Sequence, residues 1–117
     1  MYKNVKFFRN RSLLSSLFRS GKAGAGHGLY FAKRYKLAAM FLRSSLKGAE
    51  DWEVPMVKAS LGICLFYLGE HAESRDCLEY VVEDAKANPE SWDDDYSLEV
   101  LEKTSQYLEK LENLTSK

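Results

Sequence analysis

The chain has 117 residues, of which 45% are hydrophobic and 13% aromatic, and its formal net charge is zero. This length suits one domain with its own core, and the composition excludes wholesale disorder. The longest uninterrupted apolar run, Ile63 to Leu68, is far shorter than the roughly 20 residues of a membrane-spanning helix, so we expect no transmembrane segment.

The zero net charge conceals a separation of charge along the chain. Residues 1–49 contain eleven basic residues and no Asp or Glu, whereas residues 50–117 contain all seventeen acidic residues and six basic ones. The two parts therefore carry formal charges of +11 and −11. Such a separation predicts a basic surface for an acidic partner, or two halves that complement each other.

The first segment, residues 1–20, is predicted to be a basic amphipathic arm. It is rich in Arg and Ser, lacks acidic residues and places Leu13, Leu14, Leu17 and Phe18 on one side of a helix. This composition is typical of a mitochondrial presequence, and it equally suits a structural first helix or a basic helix that rests on a membrane surface or another subunit. From this segment alone we expect mitochondrial localisation, with the cytoplasm as the alternative.

Residues 21–28, with the sequence GKAGAGHG, follow the arm and contain four glycines. Because each glycine costs about 1 kcal/mol inside a helix, we predict a linker that becomes helical near Gly26. The alternative is that the segment already forms the first half of a helical hairpin. It neither follows a strand nor ends in Gly-Lys-Ser/Thr, so we do not expect a phosphate-binding loop.

Comparison of the sequence with itself gives a consistent match at an offset of 36 residues. The aligned pairs include Ala25-Gly26 with Leu61-Gly62, Leu29 to Phe31 with Leu65 to Tyr67, Tyr35 with His71, Ala38 with Ser74, and Leu42 with Leu78. Within each unit the apolar residues recur at helical spacing, and strand-like alternation is missing from the sequence. A second step of 36 places Gly62 on Leu98 and Leu65 on Leu101, which predicts a third, partial unit.

Helix-breaking residues support the same all-helical interpretation. Pro55 is tolerated only in a first turn, so a helix should begin near Val54. Gly69 should end that helix, and Pro89 should end the following one. Ser91 is then predicted to cap a final, longer helix.

No set of side chains indicates catalysis or a metal site. Cys64 and Cys77 lie in apolar stretches without a CxxC pair, so we interpret them as two small buried thiols. The three consecutive aspartates at 93–95 suit the positive end of a helix better than a metal ion, because neighbouring carboxylates on a helix point in different directions. We expect no enzyme activity, no cofactor and no bound metal.

The matched positions resemble the tetratricopeptide repeat, and the period of 36 also resembles the related Sel1-type repeats. The residues that carry the resemblance are Ala25-Gly26, Leu29, Tyr35, Ala38, Leu42 and Ser45 in the first unit, and Leu61-Gly62, Leu65, Ser74, Leu78 and Val81 in the second. The pattern departs from the family where Lys22 and Lys58 replace an early large residue and where the closing proline arrives late, at Pro89. The resemblance, over roughly residues 22–101, implies a short all-α repeat domain at 21–117, with two helical hairpins and a C-terminal capping helix.

The resemblance implies a non-catalytic protein–protein interaction module, and two units are too few to bury a continuous core alone. We therefore expect an accessory or assembly subunit whose partners are other protein subunits. RNA binding through the basic half, in a ribonucleoprotein, and attachment to an anionic membrane surface through the arm are the alternatives. The predicted partner-binding residues are basic or aromatic: Arg9, Arg11, Arg19, Tyr30, Lys33, Arg34 and Lys36.

Overall fold

A computed structural model describes residues 22–115 of the chain. The elements are α1 (Lys22–Phe31), α2 (Tyr35–Leu46), α3 (Val54–Tyr67), α4 (His71–Ala87), a short 3-10 helix (Pro89–Ser91) and α5 (Asp95–Thr115). The described range contains no strand, so the all-α prediction is confirmed there. The arm at 1–20, with Arg9, Arg11 and Arg19, lies outside the described residues.

Two helical hairpins, α1 with α2 and α3 with α4, have the same turn between their helices. Lys33 and Gly69 are 36 residues apart and adopt positive φ values of 62° and 82°. The next residue, Arg34 or Glu70, donates its amide hydrogen to the carbonyl five residues earlier, at 2.8 Å in the first turn and 2.9 Å in the second. This hydrogen-bond pattern satisfies the last carbonyls of a helix, and it confirms Gly69 as the residue that ends α3.

The glycine-rich segment is helical from Lys22, so the prediction of a linker up to about Gly26 is wrong. A Cβ added at Gly26 would lie 2.7 Å from Cγ of Leu42, because α1 and α2 approach each other closely there. Gly62 has the same relation to Leu78, at 2.7 Å from its Cδ2. The packing that these glycines permit outweighs their low intrinsic helix propensity.

Helix α3 forms the centre of the described part and contacts each of the other four α-helices. It begins at Val54 with Pro55 in its first turn, as predicted, and ten of its fourteen residues are buried. Cys64 and Cys77 are free and buried, as predicted, and burial raises the pKa of these thiols to about 12 and about 11.

The start of α5 differs from the prediction in its capping residue. Helix α4 ends at Ala87, just before Pro89 as expected, but Ser91 lies within the 3-10 helix. Asp94 precedes α5 instead, and its Oδ1 accepts a hydrogen bond from the amide of Ser97 at 2.8 Å. Aspartate suits this position because its negative charge also interacts favourably with the positive end of the helix.

Candidate protein-binding groove

A groove lies along the side of the molecule that α1, α3 and α5 share. Its wider part has a volume of about 480 Å³ and is lined by Tyr30, Phe31, Lys33, Tyr35, Ile63, Tyr67, Lys103 and Tyr107. A smaller pocket of about 100 Å³ adjoins it, with Tyr30, Phe31, Ile63 and Lys103 in common and with Ala59, Ser60, Tyr96, Glu99 and Val100 as further lining residues. We call the two together the aromatic groove.

Tyrosine rings from three helices form one wall of the aromatic groove. Tyr35 and Tyr67 are stacked, with ring centroids 4.6 Å apart and an interplanar angle of 15°. Tyr107 meets Tyr67 edge-on at 5.7 Å, and the two hydroxyl oxygens are hydrogen-bonded at 2.5 Å. Phe66 packs edge-on against both Tyr107 and Tyr67, with ring centroids 5.2 Å apart in each pair. Since each ring is held by its neighbours, the wall offers a large aromatic surface with little conformational freedom to lose on binding.

The charged groups at the aromatic groove are mostly basic. Lys33 and Lys103 line the wider part, and Glu99 lines the smaller pocket. Lys110 adds a cation beside the wall, with its Nζ 4.4 Å from the centroid of the Tyr107 ring. A ligand that presents carboxylates to the two lysines would therefore be attracted to the wider part of the groove.

The phenols of Tyr30 and Tyr107 stay protonated near neutral pH. Burial is the main reason that the pKa of Tyr30 rises to about 12. Burial also raises the pKa of Tyr107, and its hydrogen bond with Tyr67 adds to that shift. Protonated phenols can donate as well as accept hydrogen bonds, so the wall combines apolar area with polar contacts for a bound chain.

A buried histidine lies where α1 meets α3. The side chain of His27 is only 4% exposed, its Nδ1 lies 3.0 Å from Oγ of Ser60, and its Nε2 has no hydrogen-bond partner. Burial lowers the pKa of His27 to about 4, so the ring is neutral at pH 7. Ser60 also lines the smaller pocket, so His27 contacts the lining of the aromatic groove through Ser60.

The structure brings together only part of the predicted partner-binding set. Tyr30 and Lys33 line the aromatic groove, whereas Arg34 and Lys36 are exposed residues that are absent from its lining. The predicted arginines at positions 9, 11 and 19 lie outside the described residues. Two of the seven predicted residues therefore line the groove.

Sequence reasoning missed Tyr67, Lys103 and Tyr107 as site residues, although the sequence contained a signal for them. Phe31, Tyr67 and Lys103 are spaced 36 residues apart, so they occupy matching positions on α1, α3 and α5. Extending the 36-residue comparison to residues 103 and 107, with attention to polar and aromatic residues as well as apolar ones, would have found this face of the molecule.

Comparisons with known proteins do not assign the chain to a family. No protein-family model, no curated protein and no solved structure matches the chain. Within residues 22–115, no three His, Cys, Asp or Glu side chains are grouped in a way that would hold a metal ion. None of the described helices has both the length and the apolar character needed to cross a membrane.

Proposed function

We propose that the chain is a non-catalytic protein–protein interaction module that serves as an accessory or assembly subunit of a larger complex. The aromatic groove carries the proposal, because it combines a preformed wall of tyrosines with lysines at its rim. Tyrosine-rich, well-packed surfaces are the usual energetic centres of protein interfaces. In this proposal the partner inserts a segment with an apolar or aromatic anchor and carboxylates that face Lys33 and Lys103.

We also propose that the module is built like a short tetratricopeptide-repeat domain, with two hairpins followed by a capping helix. The identical turns at Lys33 and Gly69 support this, as do the close helix approaches at Gly26 and Gly62. Each of these pairs is separated by 36 residues, which is the offset found in the sequence. Helices α1, α3 and α5 would then be the first helices of successive units, and the aromatic groove would be the face that they share.

We propose that the arm at 1–20 is a mitochondrial targeting segment. Its basic, serine-rich and acid-free composition supports this role. Imaging the full chain with a C-terminal fluorescent tag tests it, because deletion of residues 1–20 should then abolish mitochondrial import. Unchanged import after the deletion would contradict the targeting role and leave the groove proposal intact.

Affinity purification of the full chain from its native source tests the interaction proposal. We expect a defined protein partner to co-purify. Tyr67→Ala or Lys103→Glu should weaken its affinity at least about tenfold, or by 1.4 kcal/mol of binding free energy, and so lower its recovery. Tyr80→Ala is the matched control, since Tyr80 is 40% exposed, compared with 47% for Tyr67, but lies on α4 away from the groove.

Nuclease treatment and vesicles of anionic lipid distinguish the alternatives in the same experiment. The proposal predicts that recovery of the partner is insensitive to nuclease and that the groove variants leave vesicle binding unchanged. Recovery that is lost with nuclease would favour the RNA-binding alternative, and equal recovery for all three variants would contradict a role for the aromatic groove.

A further inference from the structure

One face of α2 exposes large apolar side chains. Leu37, Met40 and Phe41 lie at helical spacing on one side of α2, and Met40 is the most exposed of them at 57%. The residues 36 positions after Leu37 and Phe41 are Glu73 and Cys77 on α4. In the second hairpin these two positions face a neighbouring helix, so the α2 face has the geometry of a helix-packing surface.

The contacts of α4 show what such a surface accepts. Cys77 is buried in a core cluster that includes Ala39 of α2, and Glu73 forms an ion pair with Arg43 of α2, in which Oε1 lies 2.5 Å from a guanidinium nitrogen. Position 77 therefore packs against an apolar neighbour, and position 73 pairs with a side chain of opposite charge. By analogy, we expect the side of α2 that carries Leu37 and Phe41 to pack against a helix that combines apolar and charged groups.

The charged side chains that the first hairpin contributes beside this face are basic. Lys36 on α2 and Lys47, the residue that follows α2, are exposed, and no acidic residue occurs in the described chain before Glu50. We call Leu37, Met40 and Phe41 with these two lysines the basic edge. Charge complementarity then requires an occupant with carboxylates beside its apolar residues.

The chain itself has a helix face of that kind. On α5, Leu98, Glu102 and Glu109 share one side at spacings of four and seven residues, and all three are exposed, Leu98 at 48%. Leu98 lies 36 residues after Gly62, the position at which α4 packs closely on α3 through Leu78. We call these three residues the acidic edge. It lies on a different side of α5 from Lys103 and Tyr107, which line the aromatic groove.

We propose that copies of this chain associate head to tail, with the basic edge of one copy packed on the acidic edge of the next. The apolar residues Met40 and Leu98 would provide the buried contact, and the flanking lysines and glutamates would set the orientation. Because the two edges are different surfaces, the contact is heterologous, and each copy keeps one edge of each kind available for a further copy. The association leaves the aromatic groove open, so it is independent of the proposed function.

Sedimentation velocity on the full chain tests this contact with two variants that each block one edge. Met40→Glu places a carboxylate in the basic edge, and Leu98→Lys places a cation in the acidic edge; both positions are exposed, so we expect both variants to fold. The wild-type chain should show an average mass that rises with concentration, whereas each variant alone should sediment as a monomer. An equimolar mixture of the two variants should form a dimer, because each retains the edge that the other lacks.

The control variant is Tyr80→Ser, which changes an exposed residue on neither edge and should associate like the wild type. Association should also weaken as salt rises, since the screening length falls from about 30 Å at 0.01 M to about 3 Å at 1 M. A wild-type chain that stays monomeric at all concentrations would overturn the proposal. Self-association of either variant alone, or a mixture of the two that stays monomeric, would also overturn it. The same holds if the basic edge binds anionic vesicles while the protein remains a monomer in solution.

Discussion

The two helical hairpins have the same internal packing but different surroundings. Both have a glycine on the first helix in contact with a leucine on the second, and both have the same turn 36 residues apart. The second hairpin lies between the first hairpin and α5, whereas α2 exposes three large apolar residues. The shared positions therefore build the hairpin, and the positions that differ reflect what packs beside it.

Two pairs of matched residues show this difference most clearly. His27 in α1 and Ile63 in α3 are both 4% exposed, but only the first is a polar group with an unpaired nitrogen. Ala38 in α2 and Ser74 in α4 are both fully buried, and Ser74 donates its hydroxyl hydrogen to the carbonyl of Gly62 at 2.6 Å. The first hairpin therefore contains a buried nitrogen, Nε2 of His27, without a hydrogen-bond partner. In the second hairpin the buried hydroxyl of Ser74 has a partner in the carbonyl of Gly62.

The largest expected effect concerns the pH dependence of His27. The pKa of His27 is about 4 in the folded chain, compared with the ordinary value of 6.5 that applies to the unfolded chain. Between these two pH values the unfolded state therefore binds the proton and the folded state does not. Stability should fall as the pH is lowered from 6.5 towards 4, by up to about 3 kcal/mol in total. Urea unfolding at a series of pH values measures this slope.

A matched double variant removes the titrating group, His27, together with its hydrogen-bond partner, Ser60. His27→Ile, combined with Ser60→Ala to remove the hydroxyl left without its partner, gives the first hairpin the apolar residue of the second. We expect its stability to fall less than that of the wild type over this pH range, by the contribution of His27. Parallel pH profiles for the two chains would contradict the assignment of this slope to His27.

The next effect in size tests the close approach of the helices. Adding a methyl group at Gly26 or Gly62 should overpack the contact with leucine and cost roughly 1–3 kcal/mol, offset by about 1 kcal/mol of improved helix propensity. Gly28→Ala is the control, because a Cβ there would meet nothing within 4 Å and the substitution should stabilise α1. Denaturant unfolding of the three variants measures these effects. If Gly26→Ala changed the free energy of unfolding in the same way as Gly28→Ala, the close contact between Gly26 and Leu42 would be contradicted.

The smallest effect compares the two turns. Lys33 adopts a left-handed backbone conformation that glycine adopts without strain, so Lys33→Gly should stabilise the chain by up to about 1 kcal/mol. The reciprocal change, Gly69→Lys, should destabilise it by about 1–2 kcal/mol. Thermal unfolding of both variants measures this pair. A Lys33→Gly chain that is less stable than the wild type, or a Gly69→Lys chain that is not destabilised, would show that the turns are not equivalent in energy.

The sequence was sufficient for the helical class and for most helix ends, because these depend on local chemistry. Pro55, Gly69 and Pro89 act through φ restrictions and missing donors, which are properties of single residues. The glycine-rich segment was mispredicted because its helicity depends on a contact between Gly26 and Leu42, and a propensity scale contains no such tertiary information.

Only two of the eight residues that line the wider part of the aromatic groove were among the predicted partner-binding residues, also for a physical reason. Tyr30 and Lys33 stood out because they lie in the basic part of the chain. Tyr67 and Tyr107 come from helices distant in sequence, and only packing of α3 between α1 and α5 brings their rings together. The 36-residue offset indicates which positions share a face, but the volume between those helices is a property of the folded chain.

Site-specific photo-crosslinking is the most direct test that the aromatic groove is a protein-binding site. Tyr67 in the groove and Tyr80 on α4 are both tyrosines of similar exposure, and each is replaced in turn by a benzoylphenylalanine crosslinker in the full chain. The account predicts a defined protein adduct from position 67 that Lys103→Glu suppresses, and no such adduct from position 80. Equal adducts from both positions, or an adduct at position 67 that consists of RNA, would contradict it.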